Sequence, residues 1–208
     1  MFAAAVVTRE LRAAGEAFGP PSVTPPVLRW GLLLAALDES IDTGYLTAIE
    51  LIYEGYLFHY RESRLCDVAA GEPETALLAG DFLYARGLHL IAARGDVGAV
   101  DLLARLMAVC SSLRSAKAPF SADDALWAYT VGGIVALRLG IPSATVAGLF
   151  DELDAALADE AAPDARSLAR AYVPVLALRD PALLVAELAG SVSPSALKGP
   201  PLAAAVAS

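Results

Sequence analysis

Residues 77–96, LLAGDFLYARGLHLIAARGD, decide the fold class. Leu78, Phe82, Ala85 and His89 recur at helical spacing, as do Gly80, Tyr84 and Leu88. The period is near 3.6 rather than 2, which argues for an amphipathic helix rather than a strand. Asp81 and Arg86 are set into that apolar run. An ionisable residue in a helix that otherwise favours burial needs a polar partner, within the chain or across an interface.

The same period continues outward in both directions. Upstream, helices are expected over 3–17, 27–38 and 45–62, with DESIDTG at 38–44 as a turn. GPPSVTPP at 19–26 cannot continue a helix, because proline removes a donor and clashes with the preceding turn. Pro73 suits the first turn of the helix that contains the 77–96 stretch, which is expected to end at Gly95. Downstream, Asp96 is placed to cap a helix through about Leu113. Ser121 is placed to cap another, with Asp123 and Asp124 set against its dipole and LGIP ending it at 139–142. Ser143 is placed to cap a helix through about Asp159. Weaker helical patterns follow at 164–178 and 181–189. No strand pattern and no fixed-period repeat is visible. The expected architecture is all-α, an antiparallel helical bundle. Its parts are an N-terminal helix (1–18), a Pro-rich linker (19–26), a helical domain (27–189) and a disordered tail (190–208).

Composition narrows the function classes. Hydrophobic residues make up 57% of the 208 and charged residues 19%, with net charge −9. That is more apolar than an average globular chain. The excess is mostly Ala and Leu, so the surplus serves a large core or a partner surface. Lys is nearly absent and the arginines are scattered, which argues against nucleic-acid binding. WGLLLAAL at 30–37 is too short for a transmembrane segment, and MFAAAVV carries no basic leader. A cytoplasmic location is expected on those grounds.

Few residues are placed to do chemistry. Cys66 and Cys110 lack metal-type spacing, so inert thiols are expected. His59 and His89 fall on different helices with no acid or thiol at ligand spacing, and packed or exposed histidines are expected. Asp151, Glu152 and Asp154 form an acidic face near a helix start, read as solvated rather than as a metal site. GEAFG and GDVGAV lack the strand–turn–helix setting of a phosphate loop and read as turns.

LLAGDFLYARGLHLI, together with AIELIYEGYLFH at 48–59 and VLRWGLLLAAL at 27–37, resembles three helices of the trans-polyprenyl diphosphate synthase family in their order. The resemblance covers about residues 25–140. It implies a truncated form of the isoprenoid synthase fold. The family's first aspartate cluster follows the histidine matched by His59, and its aspartate positions fall here on Tyr60, Arg61 and Arg64. Two cations and a phenol cannot ligate Mg²⁺. Positions that grip diphosphates in the family are Pro25, Pro26, Val27, Val131 and Gly132 here, leaving Arg29 nearby.

The resemblance therefore implies a small non-catalytic subunit, like component 1 of heptaprenyl or hexaprenyl diphosphate synthases, serving quinone side-chain synthesis. It implies no catalytic or metal-binding residue in this chain. Mg²⁺ would belong to a catalytic partner subunit carrying two aspartate-rich motifs. Asp81, Phe82 and Arg86 are the candidate interface, because the family packs this helix between subunits. Gly55, Tyr56 and Phe58 are the candidate wall of a prenyl tunnel. With no catalytic partner, a homodimer is the expected assembly. The alternative is a stand-alone helical protein that binds a prenyl or other hydrophobic ligand without catalysis.

Overall fold

The computed structural model describes Arg9 and residues 29–64, 73–118 and 120–158. These residues form six α-helices and, among the described residues, no strand. They are α1 (Trp30–Leu37), α2 (Thr43–Tyr60), α3 (Pro73–Ala92), α4 (Val97–Ser115), α5 (Phe120–Arg138) and α6 (Ser143–Ala158). The all-α expectation holds. None of these helices is long and apolar enough to cross a membrane. Apart from Arg9, the helix expected over 3–17 lies outside the described residues. So do the linker at 19–26, the helices at 164–178 and 181–189, and the tail.

The described residues divide into two compact units. One holds α2, α3 and the start of α1, up to Val97; the other holds residues 36–39 and those from Gly98 onward.

In the first unit α2 is the centre. Tyr45 and all residues from Thr47 to Phe58 are buried. A helix buried on every side must be apolar nearly all round, and this one is, apart from two glutamates. Its start is fixed locally: Asp42 accepts hydrogen bonds from the Gly44 and Tyr45 amides at 2.8 and 3.0 Å. These satisfy two of the orphan donors of the first turn. Helix α3 runs antiparallel to α2, since Gly87 lies against Ala48 and Ile52 while Gly80 lies against Gly55 and His59. A Cβ on Gly55 would stand 2.8 Å from the Gly80 carbonyl oxygen. Glycine at the crossing therefore sets how closely the two backbones approach. Ala79, Leu83 and Ile91 complete the buried side of α3.

In the second unit α5 is the centre. A Cβ on Gly133 would stand 2.7 Å from a Leu102 methyl of α4 and 3.0 Å from a Val146 methyl of α6. The Tyr129 hydroxyl donates to the Val146 carbonyl, and its ring meets Phe150 edge-on at 5.7 Å. Arg114 of α4 pairs with buried Asp123 of α5 at 2.9 Å. Asp123 thus serves an ion pair within the fold, besides its place near a helix N-terminus. The pairings 102 with 133 and 114 with 123 make α4 and α5 antiparallel, and 133 with 146 and 129 with 150 do the same for α5 and α6.

Two boundaries differ from expectation. Helix α5 begins at Phe120, so Ser121 lies in its first turn rather than ahead of it. Asp96 does precede α4, but its Oδ2 accepts from the Tyr45 hydroxyl at 2.9 Å. Gly95 and Gly140 sit at φ 75° and 89°, the left-handed conformation in which glycine ends a helix without strain.

Candidate functional site

The unusual chemistry of the first unit lies inside α2. Glu50 and Glu54 are one helical turn apart, so their carboxylates share a face. Both residues are fully buried. A buried carboxylate without donors is very costly, so the surroundings must supply them.

They do so from three directions. Glu50 Oε1 accepts from the Arg29 and Gly31 amides at 2.9 and 2.6 Å, where α1 begins. Glu54 Oε1 accepts from the Ser63 hydroxyl at 2.7 Å and the Arg64 amide at 2.8 Å, just past the end of α2. The Arg64 guanidinium then bridges the pair, with Nη2 2.9 Å from Glu50 Oε2 and Nε 3.0 Å from Glu54 Oε2. Tyr53, between the two glutamates in sequence, offers its ring face to Arg64 at 4.6 Å. Its hydroxyl accepts from Arg29 Nη1 at 2.9 Å. Arg29 also lies over the Trp30 ring at 4.5 Å.

Burial works against the Arg64 charge, but Glu50 and then Glu54 outweigh it, and its pKa is raised above the ordinary arginine value. Two carboxylates and two guanidinium groups are thereby gathered around one tyrosine. All four carboxylate oxygens accept a hydrogen bond. A network satisfied in this way holds elements together; it offers no open carboxylate for proton transfer or for a metal. Among the described residues, no group of three or more His, Cys, Asp or Glu side chains is arranged to hold a metal ion.

Comparison with protein-family models, curated proteins and solved structures finds no match for this chain.

The residues singled out by sequence occupy distinct places. Asp81 is exposed, with its Oδ1 3.2 Å from His59 Nε2 of α2. That contact pairs charge when His59 is protonated, although it is not aligned as a hydrogen bond. His59 also stacks on Tyr84 at 5.1 Å. The acid expected to need a neighbour therefore has one within its own chain. Phe82 is 39% exposed and Leu78 69% exposed, while Arg86 is half-buried. The Leu78–Phe82–Ala85–His89 stripe is the outer side of α3, and the Gly80 side is the inner one.

Gly55, Tyr56 and Phe58 are all buried. Gly55 faces Gly80 and Tyr84. Tyr56 stacks on Tyr53 at 5.9 Å. Phe58 packs with Leu51, Ala79 and Leu83. Of the acidic trio, Asp151 is exposed and pairs with half-buried Arg105 at 2.9 Å. The Asp154 carboxyl is pushed up by burial and by the nearby Asp151. Cys110 is a buried free thiol whose pKa burial pushes well up, away from the reactive thiolate.

Glu50 and Glu54 were the residues that sequence reasoning passed over. The signal was present in AIELIYEGYLF: two acids one turn apart in a run with no other charge. Such a pair in a helix without a polar face calls for a cation from elsewhere.

Proposed function

We propose that this chain is the non-catalytic subunit of a heteromeric prenyl diphosphate synthase, supporting chain elongation by a partner that carries both aspartate-rich motifs. One observation supports this above the others. Arg64, which falls where the resembling family has a metal-binding aspartate, is committed to Glu50 and Glu54 of its own chain. The end of α2 thus presents an internally neutralised clasp where Mg²⁺-dependent ionisation of an allylic diphosphate would need open carboxylates.

In this reading the chain acts by docking and by holding the partner's helices in register. Asp81, Phe82 and Arg86 on the outer side of α3 form the docking face, with Phe82 as its aromatic anchor. Scaffolding carries more of the role than a tunnel wall does, since Gly55 and Phe58 already pack against α3.

The test is reconstitution. The purified chain, given allylic and homoallylic diphosphates with Mg²⁺, should form no product. Added to a prenyl diphosphate synthase of the same genome that carries both motifs, it should co-purify and raise activity or change product length. Steady turnover by the isolated chain, abolished by a chelator, would overturn the proposal. So would a partner whose activity and products ignore it.

A further inference from the structure

Trp30 and three tyrosines of α2 stand in a file of rings. Tyr53, Tyr56 and Tyr60 follow at intervals of three and four residues, so the helix sets them on one side. The Trp30 ring, at the start of α1, meets Tyr53 edge-on at 5.9 Å. Tyr53 stacks on Tyr56 at 5.9 Å, and Tyr56 meets Tyr60 at 5.4 Å. Trp30, Tyr53 and Tyr56 are buried, whereas Tyr60 is half-buried, so the file runs from the core of this unit to its edge.

Apolar packing does not call for these ring types. Where α2 packs a ring against Leu51, Ala79 and Leu83, it uses Phe58. A buried phenol or indole carries a polar group that the core must accommodate. What indole and phenol share, and phenylalanine lacks, is that each gives up an electron readily. Rings in near contact pass an electron from one to the next. The surroundings give the file a direction. Arg29 lies over Trp30 at 4.5 Å and 5.8 Å from the Tyr53 ring centre, so a positive charge left on either ring is repelled by a guanidinium. Tyr60 alone of the four is not buried, and there water can take the phenolic proton as the electron leaves. The ring beyond it, His59 at 5.7 Å, is harder to oxidise, so the file ends at Tyr60.

We propose that the file is a one-electron relay that carries an oxidising hole from Trp30 through Tyr53 and Tyr56 to Tyr60. A one-electron oxidant, such as a small radical, takes an electron from Trp30 and leaves the indole radical cation. One electron then moves up the file from Tyr60 and restores Trp30. The Tyr60 proton passes to water, and a neutral tyrosyl radical remains. A soluble thiol restores the phenol by giving up a hydrogen atom and becomes a thiyl radical. Oxidation is thus led out of the core, where loss of the Trp30 ring would disturb the start of α1. The inference does not depend on the catalytic partner.

The test is laser flash photoionisation of the full chain carrying Trp127→Phe, which leaves Trp30 as the sole indole. Hexaamminecobalt(III) takes up the ejected electron in oxygen-free buffer. Transient absorption should show the indole radical giving way to a tyrosyl radical. A nitroso spin trap, mapped by peptide mass, should mark Tyr60. Tyr56→Phe keeps a ring of the same shape but removes the middle step. It should slow the transfer by about tenfold or more, the effect of about 1.4 kcal/mol on a barrier. Tyr60→Phe should lengthen the life of the indole radical. Thermal melting checks that each variant remains folded. If Trp127→Phe does not fold, the difference between the native chain and Trp30→Phe isolates the same signal. An indole radical that decays with no tyrosyl successor overturns the proposal. So does an unchanged transfer rate in folded Tyr56→Phe, and so does a trap adduct on tyrosines other than Tyr60. None of these outcomes requires a synthase partner, so they are separate from the reconstitution test.

Discussion

Glu50 and Glu54 on α2 and Asp151 and Asp154 on α6 both place two carboxylates on one helix face. Their surroundings then part company. The α2 pair is fully buried and shares one guanidinium, two main-chain amides at the start of α1, and two donors beyond its own C-terminus. On α6, Asp151 meets a guanidinium as well, but both sides of that pair face water. Distance is nearly equal in the two cases; solvent is what differs. In water an ion pair is screened and gains little, whereas inside the fold removing one member strands the other in a medium that cannot solvate it. Charge counted along a sequence therefore says less about stability than the apolarity of the residues between the charges.

The largest effect should come from the buried cluster. Arg64→Ala leaves two buried carboxylates without their shared cation and should cost about 3–5 kcal/mol of unfolding free energy, measured by urea denaturation. Replacing both carboxylates together with the cation they share, with Arg64→Met, Glu50→Gln and Glu54→Gln, should recover part of that loss, because no buried carboxylate is then left without its cation. A loss below about 1 kcal/mol for Arg64→Ala would mean that the clasp behaves like a surface pair and would erase the contrast.

Between the extremes stands Asp42. Its pairing with Arg94, at 2.8 Å, is exposed, yet the same carboxylate caps α2. Asp42→Ala should cost about 0.5–2 kcal/mol, more than a screened pair alone would give. The hydrogen bond from Arg94 is the largest cause holding the Asp42 carboxyl below its ordinary value. Its contribution is therefore present above the unfolded-state pKa, near ~3.9, and is lost as pH falls through the lower folded value. Melting temperatures of the native chain and of Asp42→Asn should converge through that acid range.

The smallest effect should come from α6. Asp151→Asn with Asp154→Asn should change stability by no more than about 0.5 kcal/mol. In the complex proposed above it should leave activity nearly unchanged. A hundredfold fall in activity, about 2.7 kcal/mol of barrier, would show that these acids take part in chemistry.

Helix period and punctuation revealed the six helices to within a few residues, because a 3.6-residue pattern and a left-handed glycine leave local marks. Which side of α3 faces inward was harder to read. Hydropathy favours Leu78 and Phe82, yet the chain turns Gly80 and Gly87 toward α2. A glycine contributes by what it lacks, allowing backbones to approach, so scales that reward side-chain burial pass over it. The clasp was legible only as a question. Glu50 and Glu54 stand out in their run, but the donors that answer them lie 9 to 21 residues away, at Ser63, Arg64, Arg29 and Gly31. The meeting of His59 with Asp81 depends on the α2–α3 crossing in the same way.

The source of the α1 cap has a consequence for the order of events as the chain is made. Helix α1 is eight residues long, too short to persist alone in water. The carboxylate that satisfies its first amides belongs to Glu50, so it leaves the ribosome later than the helix it caps. Until α2 is made, the Glu50 carboxylate is not available to the first turn of α1. The native cap of α1 is thus supplied backwards along the chain.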